Sequence, residues 1–375
     1  MTGIKPDTRP ARPYFSSGPC AKPPGWAPEK LATSSLGRSH RSKLGKERLA
    51  HAIALMRDLL RLPDSHRIGI VPGSDTGAFE MAMWTMLGAR PVTCLAWESF
   101  GEGWVTDAVK QLKLEPNVLR ADYGALPELD TVDWTHDVLF TWNGTTSGVR
   151  VPGGDWIAAD RQGLSFADAT SAVFAYDLPW DKIDVATFSW QKALGGEGGH
   201  GVLILAPRAV ERLESHTPPW PLPKVFRLTA KGKLNEGIFK GETINTPSML
   251  AVEDAIFALE WAQSLGGAQA LLARTEANAA ALDRIVSKRD WLGHLAADPA
   301  SRSKTSVCLT VADADEAMIK RMAALLEQEE AAYDIASYRD APPGLRIWCG
   351  ATVDAADIEA LGPWLDWAYS QAKGR

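Results

Sequence analysis

The residues best placed to do chemistry are concentrated between Ser165 and Gly201. Asp168 closes a short apolar run, Leu164–Ala167, and Lys192 stands 24 residues later, just past a second run at Val185–Ser189. A glycine-dense turn follows the lysine and extends to Gly201. In open sheets of parallel strands, ligands collect beyond the carboxyl ends of the strands, so a carboxylate and an amine at two neighbouring ends face the same space. That pairing suits carbonyl chemistry. The amine forms an imine with an aldehyde, and the carboxylate keeps a pyridine nitrogen protonated so that the ring can accept electrons. Pyridoxal phosphate (PLP) is the cofactor that needs both. The glycines would let backbone approach such a group without side-chain clash. A lone lysine after a strand is ordinarily solvated, and a lone aspartate at a strand end ordinarily caps a turn. The spacing and the glycine turn therefore carry the reading, and the residue types alone do not.

These positions require a sheet to hold them. Apolar runs at Arg67–Val71, Val92–Trp97, Val138–Trp142, Leu164–Ala167, Val185–Ser189 and Val202–Ala206 read as strands. Helical patterns at Thr76–Leu87, Gly103–Leu112 and Pro207–Glu214 lie between them. Strands alternating with helices imply crossover connections and an α/β fold, with a mostly parallel sheet covered on both faces. The first 43 residues, rich in Pro, Ser and Gly, read as an irregular arm. A helix then carries Leu49, Ile53, Met56 and Leu60 at near-helical spacing. Thr246–Leu265 reads as a long helix. Past Gly266–Gly267 come a helix (Ala268–Val286), a strand (Ser306–Val311), a helix (Ala317–Glu327), a strand (Leu345–Cys349) and a helix (Ala356–Ala368). The expected division is a large domain over 1–265 and a small α+β domain over 266–375.

The 375 residues are 45% hydrophobic and carry a net charge of −6. An acidic balance argues against nucleic acid or an anionic membrane as the main partner, yet a few placed arginines can still hold a small anionic substrate. Cys20, Cys94, Cys308 and Cys349 are far apart and read as reduced thiols. Cys308 and Cys349 both read as inert strand residues, which disfavours a cysteine desulfurase. The opening residues carry charge without an apolar stretch of signal-peptide length. The strongest strand-like apolar run, Val202–Ala206, is five residues long, against about 20 for a membrane span. A soluble, cytoplasmic protein is expected. Gly196–Gly201 matches G-x-G-x-x-G, the one support for a nicotinamide dehydrogenase, but a strand follows it where a dinucleotide site requires a helix. Asn143-Gly144-Thr145 matches a glycosylation triplet, which a cytosolic chain would not use. No metal site is expected.

The segment S-W-Q-K-A-L-G-G-E-G-G-H-G at Ser189–Gly201 resembles the lysine segment of the phosphoserine aminotransferases, PLP enzymes of fold type I. Four more blocks agree in the same order: S-H-R-S-K at Ser39–Lys43, G-S-D-T-G-A at Gly73–Ala78, N-G-T-T-S-G at Asn143–Gly148 and I-N-T-P-S at Ile244–Ser248. The resemblance runs from Gly18 to about Gly350. It implies that Lys192 bonds the cofactor and Asp168 partners the ring nitrogen. By the same resemblance Trp104 stacks on the ring, Thr145 contacts the ring hydroxyl and Gln191 lies on the phosphate side. Ser74, Asp75 and Thr76 open a helix whose N–H groups suit a phosphate; they also read as an ordinary cap. A common family form has an arginine in that block, which is absent here. Asn245 and Thr246, implied to come from a partner subunit, would then help to hold the phosphate, and a homodimer follows. His40 and Arg41 match contacts to the distal anionic group of the substrate. Arg346 matches the grip on the α-carboxylate, with Arg339 a second candidate. His200 receives no role. The implied reaction is amino transfer between L-glutamate and 3-phosphohydroxypyruvate, as in serine biosynthesis; some members of the family also serve pyridoxine synthesis. The alternatives are a serine–glyoxylate or alanine–glyoxylate type of aminotransferase, or a PLP-fold binding protein without activity.

Overall fold

Runs of β-branched and apolar residues, bounded by proline, glycine and polar turns, build the central sheet of this computed structural model, which describes residues 4–374. Its strands are β1 (Arg67–Pro72), β2 (Val92–Ala96), β3 (Asn117–Arg120) and β4 (Asp137–Thr141), followed, after a two-residue ladder of β5 (Asn143–Gly144) and β6 (Val149–Arg150), by β7 (Ser165–Asp168), β8 (Val185–Ser189) and β9 (His200–Leu205). The order across the sheet is β1-β9-β8-β7-β4-β2-β3. Strands β3, β2, β4, β7 and β8 run parallel, and β9 runs antiparallel to both of its neighbours. Every residue of β2, β4, β7 and β8 is buried, as expected of parallel strands covered on both faces. Along β9 the faces alternate: Val202 and Ile204 enter one apolar core, Leu203 and Leu205 the other.

Helices α1 (Lys43–Leu59), α2 (Ser74–Met86), α3 (Ser99–Thr106), α4 (Pro207–Ser215) and α5 (Met249–Ser264) cover those faces. A two-residue hairpin, β10 (Thr229–Ala230) with β11 (Lys233–Leu234), lies between α4 and α5. Beyond α5 the chain forms α6 (Ala268–Val286), then an antiparallel sheet of β12 (Leu292–His294), β13 (Ser306–Val311) and β14 (Gly344–Trp348), with α7 (Glu316–Gln328) and α8 (Ala355–Lys373). Trp291 stacks on Tyr369 at 4.1 Å and 12°, tying that sheet to α8. Among the described residues no helix is long and apolar enough to cross a membrane.

Several boundaries differ from expectation for identifiable reasons. The expected helix at Gly103–Leu112 starts earlier, at Ser99, because the Glu98 carboxylate accepts from Phe100 N and Gly101 N at 2.9 Å each; its last turn, Asp107–Gln111, winds as a π-helix. The helix expected from Thr246 starts at Met249, after Pro247, with Ser248 as its cap. The helix expected from Thr76 starts at Ser74, behind Gly73 in the left-handed region at φ 89°. The last strand ends at Trp348, so Cys349 lies just beyond it. The last helix runs on to Lys373 and tolerates Pro363 in its interior. Strands β3 and β12 were not anticipated. They are short and only partly buried, so no apolar run marks them.

Buried carboxylates pin the sheet at the ends of the strands away from the site. Asp137, fully buried at the start of β4, takes Arg212 through two bonds of 2.6 and 3.1 Å and accepts from Leu164 N at 2.8 Å. Asp184, just before β8, holds Arg161, Arg208 and the Ser165 N–H. Removing one partner strands a charge in the interior, at a cost of about 3–5 kcal/mol. Arg212→Ala should therefore lower the urea unfolding free energy by about that amount. A loss below about 1 kcal/mol, the range of surface pairs, would contradict this assignment.

Candidate active site

Strands β7 and β8 pair in parallel, with Asp168 opposite Thr187, so the end of β7 and the turn after β8 open onto one space. A cavity there is lined by Ser74, Asp75, Thr76, Phe100, Trp104, Thr141, Thr145, Asp168, Thr170, Gln191 and Lys192. Eight of the expected site residues are among these.

Asp168 is buried and held from three directions. Its Oδ1 accepts from Thr170 N at 3.1 Å and Thr170 Oγ1 at 2.6 Å, and its Oδ2 accepts from Trp104 Nε1 at 3.1 Å. The carboxylate is thereby fixed in orientation at the strand end. Trp104 forms part of the cavity wall, with its ring 4.5 Å from that of Phe79. Thr145 donates to Ser171 Oγ at 3.0 Å, and Ser171 in turn donates to Asn143 O at 2.9 Å. Asn143 is buried, so the glycosylation triplet is inaccessible. Glu98, also buried, accepts from Thr146 Oγ1 at 2.6 Å while capping α3.

Lys192 is buried and its Nζ donates to Ser17 O on the N-terminal arm. The arm closes over it so tightly that a side chain on Gly18, at φ 158°, would collide with the amine. Burial, first of all, and then the Arg346 guanidinium push the amine below its usual range; Cys20, Asp168 and Glu98 oppose them. The unfolded amine keeps its ordinary value of 10.5. Between the lowered folded value and 10.5 the unfolded chain binds the extra proton, so this group's contribution to stability rises with pH across that window. Lys192→Met should therefore be favoured over wild type below the window in the ligand-free protein, and that advantage should shrink as pH approaches 10.5. Urea unfolding across a pH series reads the difference, and a pH-independent offset would contradict it.

Helix α2 points its first turn at the same cavity. The Gly73 and Ser74 N–H groups bond Gly199 O at 3.1 and 3.3 Å, and Gly77 N bonds Gly73 O. Among the described residues the Asp75 and Thr76 N–H groups meet no backbone acceptor, leaving two donors for an anion. The Asp75 side chain turns away toward Asp168, Thr170 and Thr187; burial and the Asp168 charge raise its pKa well above the carboxylate range. Buried polar atoms without partners gather here: Asp75 Oδ1, Thr141 Oγ1 and Gln191 Oε1. Such atoms cost free energy unless a ligand meets them, and a polar ring bearing a phosphate fits them.

The other expected residues lie elsewhere in the chain. Asn245 and Thr246 line an adjacent cavity with Pro72 and Glu197–His200. His40 and Arg41 line a third cavity. Arg346, on β14, is half-buried with Nε unpartnered and its guanidinium 5.7 Å from the Tyr338 ring. Arg339 is 79% exposed beside Asp340 and lines none of these cavities. His200, left without a role above, accepts from Ser248 N at 3.1 Å and packs on Trp190, so it fixes the start of α5. The glycine turn leads into β9, not a helix, which removes the dinucleotide reading. Cys308 and Cys349 are buried, and burial raises both thiols, Cys308 to about 12. Thr170, Ser17, Gly18, Phe100 and Tyr338 were missed. Thr170 could have been found from D-A-T, where a threonine two residues after an aspartate commonly bonds it. The arm carries no comparable signal.

No family model matches the chain. It is 59% identical to a phosphoserine aminotransferase of Methanosarcina barkeri over 371 residues, which is 99% of this chain and 100% of that one. The chain belongs to the phosphoserine aminotransferase family. Solved members of the family have the same fold. One from Cytophaga hutchinsonii superposes with a TM-score of 0.82 at 21% identity, covering 95% of this chain and 98% of its own. A PLP-bound phosphoserine aminotransferase from Trichomonas vaginalis superposes at 0.77 with 18% identity, covering 95% and 99%.

Proposed function

We propose that this chain moves an amino group between L-glutamate and 3-phosphohydroxypyruvate, yielding 2-oxoglutarate and O-phospho-L-serine, with PLP as its cofactor. The observation that carries the reading is the buried Lys192 amine sharing one cavity with the three-point-held Asp168. Bound PLP supplies an aldehyde that bonds amines and a ring that absorbs carbanion charge. Lys192 would hold that group through its amine, and the same amine, when free, would carry the proton removed from the substrate α-carbon. Its lowered pKa leaves more of the amine neutral and able to accept that proton. Asp168 keeps a proton on the ring nitrogen. Trp104 would cover the ring, and Thr145 would meet its hydroxyl. Ser74, Thr76 and Gln191, with the Asp75 and Thr76 N–H groups, hold the phosphate. Asp75 contributes its backbone there, while its side chain lies toward Asp168.

Arg346 grips the substrate α-carboxylate, and its unpartnered Nε supports that role. Both amino acids carry this group. Arg346→Gln should therefore raise KM for glutamate and for phosphoserine alike, by about 10- to 100-fold; a rise for one alone would contradict the assignment. Arg339, exposed and paired, stays the lesser candidate. His40 and Arg41 meet the distal anion. Asn245 and Thr246 complete the phosphate site of a partner, in a cytoplasmic homodimer. The large and small domains join at Gly266 and Gly267, both at positive φ. The direct test is turnover of O-phospho-L-serine with 2-oxoglutarate in PLP-supplemented protein. Glutamate and 3-phosphohydroxypyruvate are expected, and no transfer would overturn the reading.

A further inference from the structure

Glu98 stands at the turn from β2 into α3, the helix that brings Phe100 and Trp104 to the Lys192 cavity. Only 2% of it is exposed, and a carboxylate stays charged at such a depth only when hydrogen bonds replace its water. It has them. Oε1 accepts from Phe100 N and Gly101 N at 2.9 Å each, and Oε2 accepts from Thr146 Oγ1 at 2.6 Å and Thr146 N at 3.3 Å. Three of these four donors are N–H groups, which cannot take up a carboxyl proton, so the set suits the anion. Burial pulls the carboxyl up from its ordinary range, and the Thr146 hydroxyl with the Gly101 and Thr146 N–H groups pulls it back. The donors belong to two separate pieces of chain. One pair opens α3; the other belongs to the N-G-T-T-S-G block between β5 and β6, whose Thr145 also lines the cavity. The Cβ of any side chain on Gly144 would stand 2.9 Å from Glu98 Cγ, so the glycine of that block leaves room for the link. Glu98 thus ties the wall that carries Trp104 to the wall that carries Thr145. Its charge, like that of Asp168, favours a proton on the Lys192 nitrogen.

We propose that Glu98 is a positioning residue for the transamination. It locks the first turn of α3 to the Thr145–Thr146 segment, so that Trp104 and Thr145 present fixed surfaces to the cofactor, and it supplies a second fixed negative charge that Lys192 feels. The inference rests on the reading of the Lys192 cavity as a PLP site. Glu98 is not among the residues lining that cavity; it borders a neighbouring one with Trp97, Ser99 and Tyr123. It therefore acts through the residues it holds and through its field. Both amino acids use the same cofactor chemistry, so its effect falls equally on glutamate and phosphoserine.

The test is Glu98→Gln in the PLP-loaded protein, read by absorbance and by steady-state kinetics, with melting curves to check the fold. Glutamine keeps the length and can still cap α3 through its carbonyl oxygen, but it turns an amide toward the Thr146 N–H and carries no charge. The pH midpoint of the near-visible band follows the proton on the Lys192 nitrogen. Removing an anion that favours that proton should lower the midpoint, by about 0.5–1 pH unit. kcat should fall about tenfold on phosphoserine and glutamate alike, with each KM within about threefold of wild type, because Glu98 touches no substrate. Glu98→Asp, which keeps the charge and shortens the reach, should hold the midpoint near the wild-type value and lose kcat. Thr146→Val removes one donor and leaves the cap of α3 intact. It should likewise hold the midpoint and lose part of kcat, and it keeps the proposal testable if Glu98→Gln does not fold. A midpoint unchanged in Glu98→Gln would overturn the role of the charge, and an unchanged kcat would overturn the positioning. If wild type itself shows no band with PLP, the reading of the cavity fails; if wild type shows it and the variants match wild type in both readouts, only the role of Glu98 fails.

Discussion

Lys192→Ala should reduce turnover of O-phospho-L-serine by at least about 10⁴-fold without unfolding the protein. On the proposed reading two roles are lost together: the bond that holds the cofactor aldehyde and the proton carrier at the substrate α-carbon. Among the described residues lining the cavity, no other carries an amine. Cys20 is close, but burial pushes its thiol up to about 12, which leaves it protonated and a poor base. Arg346 is a permanent cation. The fold should survive, because the amine is a liability to folding: it is buried, lowered in pKa, and bonded only to Ser17 O on the arm. Activity assays with and without added methylamine check the first half, and melting curves the second. Retained activity above about 1% of wild type would place the chemistry on another residue.

Asp168→Asn is expected to cost about 10²- to 10⁴-fold in kcat with a small effect on stability. Asparagine can keep the bond from Trp104 Nε1 or those from Thr170 through its carbonyl oxygen, so the strand end stays in place. What it removes is the charge. A full negative charge about 4 Å from a ring proton is worth about 4 kcal/mol at the effective dielectric of a protein, or about 10³-fold in rate. Asp75 is a poor replacement, since burial, the larger cause of its raised pKa, persists after the Asp168 charge is removed. A variant within about fivefold of wild type would show that the ring nitrogen does not depend on Asp168.

Much of this was legible in the sequence because parallel strands announce themselves. The runs ending at Asp168 and Ser189 are buried on both faces, so they read as continuous apolar segments, and the candidate residues Asp168 and Lys192 stand at or just past their ends. The glycines after Lys192 were expected to admit the cofactor; at Gly195 it is the backbone of Ala21 on the arm that a side chain would meet. The contribution of the arm was not legible. Ser17 reaches Lys192 across 175 residues of sequence through an irregular backbone with no periodic pattern. Trp104 was placed by resemblance, and the bond that fixes it to Asp168 spans 64 residues. Asp75 shows a further limit: as a residue type it is an ordinary cap, and only the fold turns its carboxyl from the helix end toward Asp168.

The most direct measurement is borohydride treatment of the PLP-loaded protein, followed by peptide mass analysis, with and without prior addition of O-phospho-L-serine. The account predicts a near-visible absorption band that borohydride abolishes, one cofactor mass fixed on the peptide that contains Lys192, and loss of that labelling when phosphoserine is added first. Cofactor fixed to a different lysine, or no fixation at all in protein that binds PLP, would contradict the assignment of Lys192.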